Sequence, residues 1–90
     1  MDKPIVINLY FNPFNSNTSI KNDINKGNTG YIDLDVYYIS GSKIDSIYNR
    51  IIDIGSHIFS WDASSFSAGI YFLKLSAKNS QKTIKLLYVK

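Results

Sequence analysis

One histidine, seven carboxylates and no cysteine make up the acid–base and metal-binding chemistry open to this 90-residue chain. Nucleophilic hydrolysis needs a serine activated by a histidine that a carboxylate orients. His57 is the sole candidate base; it lies in strand-like sequence five residues before Asp62, and no Gly-x-Ser-x-Gly elbow presents a serine. A histidine on an ordinary strand is expected. Glycosidic cleavage needs two acids flanking a cleft, whereas the aspartates here are scattered along a chain too short to build much concavity. Ordinary zinc ligation is excluded by the histidine and cysteine counts. Asp33 and Asp35 share one face of a strand, but calcium would want further oxygen ligands from loops, so both are expected in solvent. No enzyme is expected, and no catalytic, cofactor-binding or metal-ligating residue is assigned.

Three aromatic residues offer a different chemistry. Trp61, Tyr71 and Phe72 could stack on apolar sugar faces. Trp61 and Tyr71 fall in the apolar sets of their strands, so core packing is expected for them, and Phe72 is left open. Asp62 follows Trp61 at a strand end, where a short carboxylate accepts hydrogen bonds from turn amides two residues on. Asn17-Thr18-Ser19 matches the glycosylation triplet, a pattern common by chance.

Charge is divided along the chain. Residues 1–62 hold all seven acids, every one an aspartate, against five basic side chains, while residues 63–90 hold five lysines and no acid. Such a division can mark a nucleic-acid or acidic-protein contact. Lys74, Lys78, Lys82, Lys85 and Lys90 are instead spread through strand-like sequence, with no arginine or glycine-aromatic RNA signature among them. No nucleic-acid partner is expected, and the lysines are read as a solvated face that blunts sheet edges. No apolar run approaches the roughly 18 residues of a membrane helix. Met1-Asp2-Lys3-Pro4 lacks the basic and apolar stretches of a secretory signal, so any export is expected to depend on something upstream.

The elements that carry these residues read as strands. Branched and aromatic side chains dominate the apolar positions, and glutamate is absent. From Tyr31 to Tyr38, Ile32, Leu34, Val36 and Tyr38 alternate against Asp33 and Asp35, the pattern of a half-buried strand. Ile39-Ser40-Gly41-Ser42 then supplies a hairpin turn, and a strand follows over about 43–48. His57, Phe59 and Trp61 share one face, as do Tyr71, Leu73, Leu75 and Ala77. Upstream, Ile5, Ile7 and Leu9 alternate in a short strand, Asn12-Pro13-Phe14-Asn15 breaks it, and Thr18 to Ile24 forms the next. The final strand runs over about 81–89. About seven short strands without an amphipathic helix predict an all-β, immunoglobulin-like antiparallel β-sandwich with no disulfide.

That last strand departs from the alternation. Leu86, Leu87, Tyr88 and Val89 are consecutive, so both of its faces carry apolar groups. Either both faces are covered, or one is available to a partner. An edge strand of this kind can add to another sheet, where the backbone supplies affinity and alternate side chains supply specificity.

Read in order, Asn12-Pro13-Phe14-Asn15, Thr18-Ser19-Ile20, Val36-Tyr37 with Gly41, His57-x-Phe59-x-Trp61-Asp62, Ala68-Gly69-Ile70-Tyr71-Phe72-x-x-Leu75 and Lys85-Leu86-Leu87-Tyr88-Val89-Lys90 form a series. It resembles the type A C-terminal sorting domain of the type IX (Por) secretion system of Bacteroidota, itself similar to the immunoglobulin-like domain of flagellar hook-cap proteins. The resemblance covers residues 12–90, leaving 1–11 as an N-terminal strand or a remnant of the cargo linker. Asn22 stands where an apolar residue usually alternates with Ile20 and Ile24; Tyr38 and Ala63 replace a usual aspartate and glycine.

The resemblance implies an address label on a larger secreted protein, with no cofactor. Its implied partners are type IX translocon or shuttle proteins, a cell-surface sortase, and the covalently linked cargo upstream. The implied route passes through the periplasm and outer membrane, ending in release or attachment at the cell surface without membrane insertion. By analogy, recognition falls on Lys85, Leu86, Leu87, Tyr88, Val89 and Lys90, with Asp62 and Gly69 shaping nearby turns. The lysines would steer the label toward an acidic surface. The alternative is an accessory module for glycan binding or adhesion.

Overall fold

Polar and apolar side chains alternating along short segments leave the backbone one economical arrangement, strands whose apolar faces close on each other. The computed structural model describes residues 6–15, 17–25, 27, 29–78 and 80–89, the first ten through their backbone. In chain order the strands are β1 (Val6–Asn15), β2 (Asn17–Ile24), β3 (Gly30–Tyr38), β4 (Lys43–Ile52), β5 (Gly55–Asp62), β6 (Gly69–Ser76) and β7 (Gln81–Tyr88). One antiparallel sheet has the order β1-β2-β5, and the other β4-β3-β6-β7. Together they form the expected all-β antiparallel sandwich.

β1 belongs to both sheets. Val6 to Tyr10 pair antiparallel with β2, and Phe14 pairs parallel with Tyr88 of β7. The expected break at Asn12-Pro13-Phe14-Asn15 is thus a change of partner within one continuous strand. A register shift between Tyr10 and Asn15 carries the chain across, and Pro13, lacking an N–H, falls within it. The strand beginning at Lys43 also runs further than expected, to Ile52. Two register shifts against β3 interrupt it, so the clean alternation that marks β3 is absent.

The inner faces build one core. Ile20 and Ile24 of β2 and Trp61 of β5 meet Ile32, Leu34 and Val36 of β3, Tyr71, Leu73 and Leu75 of β6, and Leu86 and Tyr88 of β7. Each such side chain contributes about 1.5–3 kcal/mol relative to exposure. Trp61 and Tyr71 are buried as their apolar sets predict, which removes them as a sugar-stacking platform.

The turns follow from local chemistry. Gly41, at φ +97°, closes the β3–β4 hairpin by donating its N–H to the Tyr38 carbonyl at 2.9 Å. That backbone angle is strained for any residue with a Cβ. Asp62 accepts the Ser64 N–H at 3.0 Å, as a turn-former should, and Phe66 N–H closes on the Ala63 carbonyl at 2.9 Å.

Strand directions sort these parts into two poles. The Tyr38–Lys43 hairpin, the Asp62–Gly69 loop and the end of β7 lie at one pole. The start of β1, the β4–β5 corner and the β6–β7 turn lie at the other.

Candidate functional site

The end of β7 is held by a set of aromatic rings. Tyr88 packs on Tyr71 with centroids 6.5 Å apart, and Tyr71 meets Trp61 edge-on at 5.6 Å. Phe66, brought in by the Asp62–Gly69 loop, contacts Trp61 at 5.7 Å. Tyr38 lies against Tyr71 at 5.8 Å from the β3–β4 hairpin. Two connections, the end of β5 and the final strand therefore converge on Tyr71.

Tyr71 and Trp61 both have hydrogen-bond partners for their polar tips. The Tyr71 hydroxyl donates to the Ser67 carbonyl, a tyrosine corner that fixes the loop to the start of β6. Burial, followed by the neighbouring Tyr38 and Tyr88, pushes its phenol above the usual tyrosine value. Trp61 Nε1 donates across the sandwich to Asp45 Oδ2 at 2.8 Å. Asp62 is held below its usual value, chiefly by the Ser64 backbone N–H and then by the Ser64 side chain. Gly69, at φ +154°, leads from the loop into β6.

Alternation along β7 divides the six terminal residues singled out by resemblance. Leu86 is fully buried and Tyr88 nearly so, whereas Lys85, Leu87 and Val89 are exposed, Leu87 by 39% and Val89 by 42%. Lys90 lies outside the described residues. In register, Leu87 is opposite Ile70, which is 40% exposed, and Lys85 is opposite Phe72, itself opposite Tyr37. The outward surface near the end of the strand is thus an apolar pair, Ile70 and Leu87, next to a Tyr37–Phe72–Lys85 row. Phe72 is half-buried in that row.

Charge on the same face corrects one expectation. Neither carboxylate of the pair lies free in solvent as expected: Asp35 is buried, at 4% exposure, and Asp33 is half-buried. Asn49, the register partner of Asp33 on β4, reaches both carboxylates, its Nδ2 donating to Asp33 Oδ1 at 2.7 Å and to Asp35 Oδ1 at 3.0 Å. Lys43 Nζ lies 3.9 Å from Asp35 Oδ2, and Lys74 is its register partner on β6. A bonded carboxylate can be covered where an unpaired one could not. Lys78, Lys82 and Lys85 are exposed.

The hydrolytic candidate has no arrangement behind it. His57 Nε2 lies 2.8 Å from the Asp53 carbonyl, a bond that ties the β4–β5 corner. Among the described residues no group of three or more histidine, cysteine or acidic side chains is placed to hold a metal. Asn12, Pro13, Phe14 and Asn15 form the part of β1 where the partner sheet changes.

The model of the secretion system C-terminal sorting domain, the Por secretion tail, matches residues 8–90. The chain belongs to this family. It is a sorting domain of type IX secretion, and such a domain is part of a cargo protein exported across the outer membrane to the surface or the medium. The family is one of signals, not of catalysts. No curated protein and no solved structure matches the chain.

Some features of the sorting domain escape its sequence. The tyrosine corner is one, because Tyr71 reads only as an apolar strand position. Asp45 as the partner of Trp61 is another, since the two are distant in sequence and meet only when the sheets close. An indole on a core face carries an N–H that must be met, and that is the one signal available.

Proposed function

We propose that the export machinery reads this sorting domain through the outward side chains at the end of β7, with the buried ones serving as its anchor. Leu87 on β7 and Val89 just past its end present apolar surface beside Leu86 and Tyr88, which fasten the strand to the core, and this alternation of exposed and buried side chains is the observation that carries the reading. A partner that tests a folded shape needs such a rigid presentation, because an ordered strand gives up little further entropy on binding. Ile70 widens the apolar contact. Exposed Lys82 and Lys85 favour approach to an acidic surface on a translocon or shuttle protein.

In this reading the domain spans residues 12–90, and the earlier part of β1 is the strand that joins it to the cargo. A cell-surface sortase then acts on the delivered protein, after passage through the periplasm and outer membrane. Phe72, flanked by Tyr37 and Lys85, contributes to the docking face.

Sufficiency tests the proposal. The 90-residue chain fused behind an export signal and a folded reporter is expected to bring the reporter to the surface of a type IX-competent bacterium. The same fusion lacking Leu86 to Lys90 is expected to remain inside. Equal delivery of the two would contradict terminal-strand recognition.

A further inference from the structure

We infer that the pole opposite the terminal strand is a docking surface for the cargo that precedes this domain, an inference resting on the sorting-domain reading above. Tyr31, Ile51 and Ile54 lie exposed there, by 57%, 73% and 61%. Tyr31 and Ile51 are register partners on adjacent strands, so their side chains are neighbours on one face. Ile54 lies in the β4–β5 corner, immediately before Gly55. Isolated exposed apolar residues are ordinary, but three large ones at one end of a small domain indicate a contact surface.

The course of the chain identifies the occupant. Val6 pairs with Asp23, and Asp23 with Ser56, so β1 begins two strand spacings, about 10 Å, from the corner that carries Ile54. The chain therefore enters the described fold at this pole. β1 and β7 run parallel where they meet, with Phe14 beside Tyr88, so β7 ends at the far pole. A cargo seated on Tyr31, Ile51 and Ile54 would cover one end and leave Leu87 and Val89 accessible. The corner is firm enough to be a seat, because His57 Nε2 meets the Asp53 carbonyl and Ser56 donates to Asp23. Contacts between domains of one chain are commonly of this modest, partly apolar kind.

The test compares the full-length cargo protein with the 90-residue chain. The chain has no cysteine, so Ile51→Cys, Ile54→Cys and, at the opposite pole, Ile39→Cys introduce single reporters whose alkylation is read peptide by peptide by mass spectrometry. Docking is expected to slow I51C and I54C roughly tenfold in the full-length protein while I39C is unchanged. Equal rates in both forms would overturn the inference. As a second measurement, Ile51→Ser with Ile54→Ser should lower the melting temperature of the sorting domain in the full-length protein and not in the 90-residue chain. A 90-residue chain that sediments as a dimer, which the double substitution dissolves, would assign the pole to a second copy and overturn it too.

Surface delivery separates the two readings. The I51S/I54S cargo is expected to be delivered, because its terminal strand is intact. Delivery of a cargo lacking Leu86 to Lys90 would sink the sorting-domain recognition reading, whatever the alkylation rates show.

Discussion

Trp61 of β5 and Asp45 of β4 are joined across the sandwich, indole Nε1 to carboxylate Oδ2, at 2.8 Å. The bond links the edge strands of two different sheets at a ring that also touches Phe66 and Tyr71. Asp45→Ala leaves a buried N–H without this partner and should cost about 1–3 kcal/mol. Urea denaturation followed by Trp61 fluorescence measures it, and an unchanged midpoint would show that the bond contributes nothing.

Asn22 presents the opposite case. Its amide is fully buried on the inner face of β2, and among the described residues neither Oδ1 nor Nδ2 has a hydrogen-bond partner. Asn22→Val restores the apolar alternation of Ile20 and Ile24 and removes a desolvated polar group, for an expected gain of about 1–3 kcal/mol. A higher denaturation midpoint at constant slope is the supporting result; a lower one would mean the amide is satisfied in solution.

Tyr71→Phe keeps the ring packing and removes the hydroxyl bond to Ser67. The expected cost is about 0.5–1.5 kcal/mol near neutral pH. The folded state holds the Tyr71 proton more tightly than the unfolded chain, so stability is level below the ordinary tyrosine value of 10.0 and falls as pH rises from there through the folded value. The phenylalanine variant should lose less stability over that alkaline range. Melting temperatures measured from pH 8 to 11.5 decide it, and parallel curves would contradict it.

Adjacent leucines on β7 should differ sharply. Leu86 is fully buried, so Leu86→Ala should destabilise by about 2–5 kcal/mol. Leu87 is 39% exposed, and Leu87→Ala should stay within about 0.5 kcal/mol of the parent. Calorimetry of both variants checks the assigned facing of the strand. Similar losses would mean that the two faces are not distinct.

Much of the sandwich is legible in its side-chain pattern, because a half-buried strand imposes period two. Ile32, Leu34 and Val36 on β3, and Tyr71, Leu73 and Leu75 on β6, point inward as their alternation predicts. β4 is less legible because its register shifts erase the period. The burial of Asp35 is hidden for the same reason: it depends on Asn49 and Lys43, whose positions follow from pairing geometry and not from local propensity. At the terminal strand, four consecutive apolar residues state that two faces are engaged without stating which is the core. Pairing with β6 decides that, setting Leu86 opposite Tyr71 and Leu87 opposite Ile70.

Recognition by the outward face of β7 is tested most directly by Leu87→Ser with Val89→Ser in the full-length cargo, with surface delivery timed in a type IX-competent bacterium. Both side chains are exposed and neither belongs to the buried core, so the domain should melt close to the parent temperature. Delivery is expected to fall at least tenfold, since two apolar contacts of about 1 kcal/mol or more are removed from one small interface. A folded double variant that reaches the surface at the parent rate would contradict recognition through this face.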